Sequence, residues 1–152
     1  IVAWQPNSGQ ALAALAGSRA IYTSANAPGL IYDVLAVNPK SLAARRNDWK
    51  KVVKVWFRIA DFVNDPKNAA EASRIMGARV GLAPAEYARL MKGTFFLGKD
   101  GNLKHFRPGN DLTSVFHSNK VVDQFNLAYE VYGKSQNLPS YLDPSLVREL
   151  AK

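Results

Sequence analysis

The strongest constraint on the fold is a stretch of helical periodicity that begins at Asn47, which can serve as an N-cap. Its apolar positions recur every three or four residues and its charged positions fall on the other side, the pattern of an amphipathic helix. The helix is predicted to end near Asn64-Asp65-Pro66. The apolar stripe, which we expect to be core, consists of Trp49, Val52, Val53, Trp56, Ile59, Ala60 and Val63.

The first 38 residues predict strands. Residues 1–4 ("IVAW"), 19–24 ("RAIYTS") and 30–38 ("LIYDVLAVN") are short runs rich in β-branched and aromatic residues, and a helix from Asn7 or Ser8 to about residue 16 separates the first two. A strand, a helix and a strand in succession indicate a parallel sheet.

The predicted fold class is therefore α/β, with few strands at the N-terminal end and mostly helices after them. Turn and capping signals place these later helices at roughly residues 68–76, 84–92, 111–132 and 144–151, with a hairpin or a loop at 95–106.

Composition excludes several function classes. The 152 residues are enough for one domain with a core, and the absence of cysteine excludes a disulfide framework and a cysteine nucleophile. The net charge of +8 favours an anionic partner. The densest basic stretch, residues 40–58, carries its aromatic side chains on the apolar stripe, so we expect a solvated helix face and no nucleic-acid partner.

No catalytic motif is present. His105 and His117 have no second ligand at helical spacing, so neither is predicted to bind a metal. The sequence contains no P-loop, no dinucleotide fingerprint and no nucleophile elbow. We expect a protein that is not an enzyme and needs no cofactor.

The opening "IVAWQPNSGQ" suggests a ligand site. In an open α/β sheet, ligands lie where strands end and helix N-termini begin, and Trp4 and Gln5 occupy such a position. The N–H groups of Asn7, Ser8 and Gly9 follow and could bind a small anion. Alternatively, Trp4 is a core residue and Pro6 only starts a helix.

The order of segments resembles one known family. "VAWQP", "RAIYTSANAPGLIYDVLAVNPKSL", "VVKVWFRIADFVND" and "EASRIMGARVGLAPAEYARLMKGTFFL" are similar to the C-terminal half of the solute-binding proteins of ABC importers for nitrate, sulfonates and taurine. The resemblance implies a type II periplasmic-binding-protein fold. Residues 1–26 would be the end of the second lobe with the start of the hinge crossover and 27–152 the C-terminal part of the first, the N-terminal half being absent.

The resemblance also implies site residues. Trp4, Gln5, Ser8 and Asp33 are the predicted ligand-binding residues, although Asp33 could instead fix the hinge. Gln5 stands where the family usually has Glu, which favours an anionic solute because a like charge is removed. The predicted hinge consists of Asn26, Pro28 and Gly29.

The implied function is capture of a small anionic solute between two lobes and its delivery to a membrane permease. The implied location is periplasmic or otherwise extracytoplasmic, free or lipid-anchored, with any leader outside this chain. Alternatives on the same fold are a synthase of the thiamine pyrimidine precursor, whose cysteine-rich motif is missing here, and a ligand-sensing regulatory module. A chain lacking half of its fold is expected to self-associate.

Overall fold

The computed structural model describes residues 2–152, and this part of the chain contains eight α-helices and three 3-10 helices but no β-strand. Ile1, which begins the first predicted strand, lies outside the described residues. The α-helices are α1 (Asn7–Ala14), α2 (Pro39–Ala44), α3 (Arg46–Asn64), α4 (Ala69–Arg79), α5 (Pro84–Met91), α6 (Lys99–His105), α7 (Val115–Ala128) and α8 (Ser145–Leu150). The 3-10 helices are Ser24–Asn26, Pro66–Asn68 and Leu138–Ser140.

The predicted α/β fold is wrong, because the structure is all-helical and has no sheet of the type II periplasmic-binding kind in residues 2–152. A strand needs a neighbour to bond its backbone, and the three predicted strands have none in this part of the chain. Their apolar side chains face solvent: Ile21 is 90% exposed and Val34 71%. A paired strand would bury these apolar side chains, but in residues 2–152 the three segments pair with no other strand, so the side chains stay exposed.

The helical predictions hold better. Helix α3 is confirmed, but its predicted apolar stripe is only partly core. Val53 and Ala60 are buried, together with Phe57, whereas Val52 and Ile59 are exposed. Its two tryptophans are less buried than predicted: Trp49 is half-buried, and Trp56 is exposed, with its indole N–H donating to the Leu97 carbonyl at 3.0 Å.

The predicted hairpin or loop at 95–106 is also a helix, α6. Gly98 precedes it, and Asp100 lies in its first turn while Lys104 and His105 lie in its last, an order that complements the helix dipole. The Asn102 amide donates back to the Leu97 carbonyl at 2.7 Å. The order of charges and the Asn102 hydrogen bond therefore favour a helix over the turn that "KDGN" indicates.

The chain divides into two compact units. Unit 1 contains the chain up to Asn26 together with Phe62–Phe96. In it α4 packs on α5 at Gly77, where a Cβ would lie 2.9 Å from the Leu82 carbonyl oxygen, so only glycine allows this approach.

Unit 2 contains Ala27–Asp61 and Leu97–Lys152 and has its own apolar core. The core is formed by buried side chains from α3 and α8: Val53, Phe57, Leu146 and Val147. Around it pack the partly buried Leu42, Trp49, Leu103, Phe106 and Leu150. Across residues 2–152, no helix has the length and apolar character needed to cross a membrane.

Candidate functional site

The start of α1 brings three of the predicted ligand residues together. Trp4 is 71% exposed, so its indole is free to contact a solute and is not a core residue. The Ser8 N–H donates to the Trp4 carbonyl at 2.9 Å, and the Gly9 N–H donates to Gln5 Oε1 at 3.1 Å. Of the N–H groups predicted to bind an anion, only that of Asn7 has no acceptor in the described chain.

Asp33, the fourth predicted ligand residue, belongs to unit 2, whereas Trp4, Gln5 and Ser8 belong to unit 1. Its carboxylate is exposed and lies in the irregular segment between Leu30 and Asn38. Its neighbour Tyr32 anchors this segment within unit 2, because the Tyr32 hydroxyl donates to the Leu112 carbonyl at 2.8 Å and lies 2.8 Å from His105 Nδ1. Burial raises the pKa of Tyr32 and lowers that of His105.

The predicted hinge residues lie on both sides of the division between the units, which falls after Asn26. The Asn26 side-chain oxygen accepts from the Thr23 N–H at 2.8 Å, which closes the 3-10 turn of unit 1. Pro28 and Gly29 belong to unit 2. Gly29 has a φ of +85°, and a Cβ there would lie 2.2 Å from the Leu112 carbonyl oxygen. The turn at Gly29 is therefore tightly held.

A second candidate site, which the sequence did not predict, is a solvent-accessible cavity of about 390 Å³ beside α7 in unit 2. The cavity is open to solvent over much of its extent, whereas small-molecule sites usually bury most of their ligand. The cavity is lined by the turn before α7, one side of that helix and the segment after it: Pro108, Gly109, Asn110, Phe116, His117, Lys120, Asp123, Ser135, Gln136, Leu138 and Pro139.

Asp123 fixes one wall of this cavity. Its buried carboxylate accepts from the Tyr132 and Ser135 hydroxyls, each at 2.6 Å, and from the Gln136 N–H at 3.1 Å. The hydrogen bonds from Ser135 and Tyr132 hold the pKa of Asp123 below its usual value. These bonds tie the segment after α7 back onto the helix and leave the carboxylate well supplied with donors.

The N-terminus of α7 lies next to this cavity, and Phe116 and His117 from its first turn line it. Ser114 occupies the N-cap position and is only 3% exposed, yet its hydroxyl caps no N–H and has no hydrogen-bond partner in the described chain. The Ser118 N–H makes the first bond of the helix, to the Ser114 carbonyl at 2.9 Å. The preceding N–H groups, those of Val115, Phe116 and His117, have no acceptor within residues 2–152.

Four of the seven basic residues in the stretch 40–58 form ion pairs. Arg46 and Lys50 both contact the carboxylate of Glu149 on α8, while Arg45 and Lys51 contact Asp48. This stretch therefore helps to hold α8 on α3. The described residues contain no cluster of three or more histidine and acidic side chains that could hold a metal ion.

The residues that sequence reasoning missed are those around α7. The sequence assigns no role to His117 beyond the metal site that it excludes, and it predicts no function for Lys120 or Asn110. The one local signal is "TSVFHSNK", in which a serine precedes a helix that carries a histidine and a lysine in its first two turns. Comparisons with protein-family models, with curated proteins and with solved structures found no match to this chain.

Proposed function

We propose that this chain binds a small anionic solute as part of the substrate-binding component of an ABC importer. It works outside the cytoplasm, where it delivers the solute to a membrane permease, and it catalyses no reaction. The observation that carries the proposal is the order and spacing of "VAWQP", "YTSANAPGLIYDVL" and "VVKVWFRIADFVND" along the chain. The proposal concerns solute capture and does not include the α/β sheet, which the structure contradicts.

The start of α1 supports solute capture by its exposure. The Trp4 indole offers a large aromatic face and one N–H donor to solvent, and aromatic side chains supply much of the contact area in small-molecule sites. Gln5 is neutral and already accepts from Gly9, so no carboxylate there repels an anion. The Asn7 N–H remains free to donate.

The test is a thermal-shift screen of the 152-residue chain against nitrate, bicarbonate, taurine and methanesulfonate at constant ionic strength. A solute that binds only the folded chain should raise the Tm by about 5–10 °C at a hundredfold excess over its Kd. Trp4→Ala should abolish the rise. Phe95→Ala is the matched control, because Phe95 is an aromatic of the same unit that is 84% exposed.

Two outcomes would contradict the proposal. One is the absence of a shift with all four solutes. The other is a shift that Trp4→Ala and Phe95→Ala reduce equally, because the indole would then have no specific part in binding.

The exposed surface supports a second copy of this chain as a partner. The chain exposes 11,560 Å², whereas two independent globular units of these sizes would together expose about 9,200 Å². The excess of about 2,400 Å² is close to what one chain buries in a large obligate homodimer interface. A second copy is therefore sufficient to account for the excess.

Segment 30–37 is the proposed surface for this pairing. Ile31, Val34 and Leu35 are exposed there, and the backbone N–H groups of residues 31–37 donate no hydrogen bond within the described chain. Tyr32 holds the segment in place. Strand-like addition of the same segment from a second copy would bond these groups and cover the apolar side chains.

Light scattering after size-exclusion chromatography tests the pairing. We expect twice the 16.7 kDa of one chain, and a single-chain mass for the double variant Val34→Lys/Leu35→Lys. Ile21→Lys adds a lysine at an exposed apolar site of unit 1 and should leave the dimer intact. A monomeric parent chain, or a dimer that survives both lysines, would contradict this surface.

A further inference from the structure

Helix α3 carries a second apolar face that the core of unit 2 leaves uncovered. Val52, Val55 and Ile59 follow the spacing of three and four residues that aligns side chains along one side of a helix, and they are 44%, 49% and 46% exposed. Since successive residues of a helix are about 100° apart, these three are centred roughly 140° from the buried Val53 and Phe57. They form an apolar row that faces away from the core.

A row of cations runs beside the apolar row. Lys51, Lys54 and Arg58 each stand one residue before a member of the apolar row, so they form a parallel cation row on the polar side of α3. All three are exposed, and Lys54 and Arg58 form no ion pair within the described chain. Lys51 shares the Asp48 carboxylate with Arg45. Two cations and one carboxylate leave a net positive charge there, so the row is positive along its length.

The acidic residues of α3 do not neutralise the cation row. Asp48 lies in line with the apolar row at its N-terminal end, and Arg45 and Lys51 both contact its carboxylate. Asp61 lies farther round the helix, beyond the cation row as seen from the apolar row. This face of α3 therefore fits a partner that is both apolar and anionic.

We propose that α3 docks unit 2 on an anionic lipid surface. The apolar row would enter the boundary between headgroups and acyl chains, and the cation row would lie at the lipid phosphates. Lysine and arginine suit this arrangement because their long aliphatic stems can lie against apolar material while the charged ends reach the phosphates. A helix that lies in a membrane interface has the same combination of one apolar face and a polar side rich in cations.

The size of the face favours lipid over a protein partner. A stable protein interface buries about 800 Å² on each partner, much more than three half-exposed aliphatic side chains present. Lipid binding adds electrostatic attraction to a small inserted area, so a short apolar row beside three cations is sufficient for reversible binding. The docking concerns unit 2 and does not depend on solute binding at the start of α1.

Co-sedimentation with sucrose-loaded vesicles tests the docking in the absence of any solute. One set of vesicles contains phosphatidylcholine alone, and the other contains phosphatidylcholine mixed with phosphatidylglycerol, which is anionic. We expect the 152-residue chain to bind only the mixed vesicles. Binding should weaken as sodium chloride is added, because salt screens the attraction between the cation row and the phosphates.

Variants of each row test its part in binding. Lys54→Gln and Arg58→Gln should each weaken binding to the mixed vesicles about fivefold, the effect expected for one cation near an anionic membrane. Val52→Ser/Ile59→Ser should weaken it at least tenfold, because the aliphatic groups that would leave water are lost. All four positions are exposed, so the variants should keep the fold, which far-UV circular dichroism checks.

Matched controls lie elsewhere in unit 2. Lys134→Gln removes an equal charge from an exposed lysine, and Val122→Ser/Val131→Ser removes two exposed aliphatic side chains; both should leave vesicle binding unchanged. Equal weakening by the variants and their controls would overturn the docking, because only general attraction of a basic chain would remain. Equal binding to phosphatidylcholine alone would also overturn it. So would the absence of binding to the mixed vesicles, which would favour an acidic protein surface as the partner of α3.

Discussion

Helix α3 and the apolar runs of the first 38 residues are similarly rich in large apolar side chains, but only the helix places some of them in a core. Along α3, Val53 and Phe57 lie in the core of unit 2. In the earlier runs Ile21 and Val34 face solvent. A helix forms its backbone hydrogen bonds internally and can then bury one face. A strand needs a neighbouring strand both to satisfy its backbone hydrogen bonds and to help cover its side chains.

The difference shows which sequence patterns are sufficient by themselves to predict a secondary-structure element. A helical repeat predicts a structure that the segment can form alone and then pack. An apolar run of strand type predicts a structure that forms only when another strand is available, and residues 2–152 provide none.

The largest effect is expected for Phe57→Ala, which removes an aromatic ring from the core of unit 2. We expect a loss of about 3–5 kcal/mol in the free energy of unfolding, because the lost burial and the remaining cavity both count. Ile21→Ala, in an exposed run, should change it by less than about 0.5 kcal/mol. Urea unfolding followed by circular dichroism measures both, and comparable losses would contradict the contrast.

A smaller effect is expected at the two glycines that share a φ of +85°, Gly29 and Gly17. Gly29→Ala places a methyl group against the Leu112 carbonyl, so we expect a loss of about 2–4 kcal/mol. Nothing lies within 4 Å of a Cβ at Gly17, so Gly17→Ala should cost only the left-handed conformation, about 1 kcal/mol. Equal losses in urea unfolding would show that segment 30–37 is not anchored at this turn.

These contrasts also explain which parts of the fold could be predicted. Helix α3 was predictable because its signal is local and repeats over five turns. Helix α2 was missed, although Asn38 caps it by accepting from the Lys40 N–H at 2.9 Å and Pro39 begins it. The sequence predicts a strand over residues 30–38 that ends at Asn38, and no helix directly after it. At α6 the turn residues "KDGN" predict a hairpin or loop, although the segment is a short helix whose charges complement its dipole.

The two candidate sites also differ in how far the sequence alone predicts them. Trp4 and Gln5 could be chosen from the sequence because they are adjacent and stand just before a helix. The cavity at α7 could not, since it requires the turn before α7 to lie beside the helix and Asp123 to hold the segment after it. Those contacts depend on how the loops on either side of α7 fold back onto the helix, and no periodic pattern in the sequence predicts such loop positions.

Ion pairing adds a further difference between α3 and the earlier runs. The Glu149 carboxylate on α8 forms ion pairs with Arg46 and Lys50 from the first two turns of α3. The Arg46 guanidinium also donates to the Ser145 hydroxyl at 2.8 Å. The hydrogen bonds from Arg46 and Lys50 lower the pKa of Glu149 from 4.5 to about 2. The packing of α8 on α3 is therefore partly electrostatic.

The smallest effect concerns acid stability. Because the folded chain lowers the pKa of Glu149, its carboxylate stabilises the fold above about pH 4.5, and this contribution disappears as the pH falls from 4.5 to about 2. Glu149→Gln should therefore lower the urea midpoint at pH 6 and flatten its fall over that range. Glu71→Gln, which breaks an exposed pair with Arg74 inside a single helix, should change the profile less. If the two variants behave alike, the bridge between α8 and α3 contributes no more than an ordinary surface pair, and apolar burial alone distinguishes α3 from the runs before it.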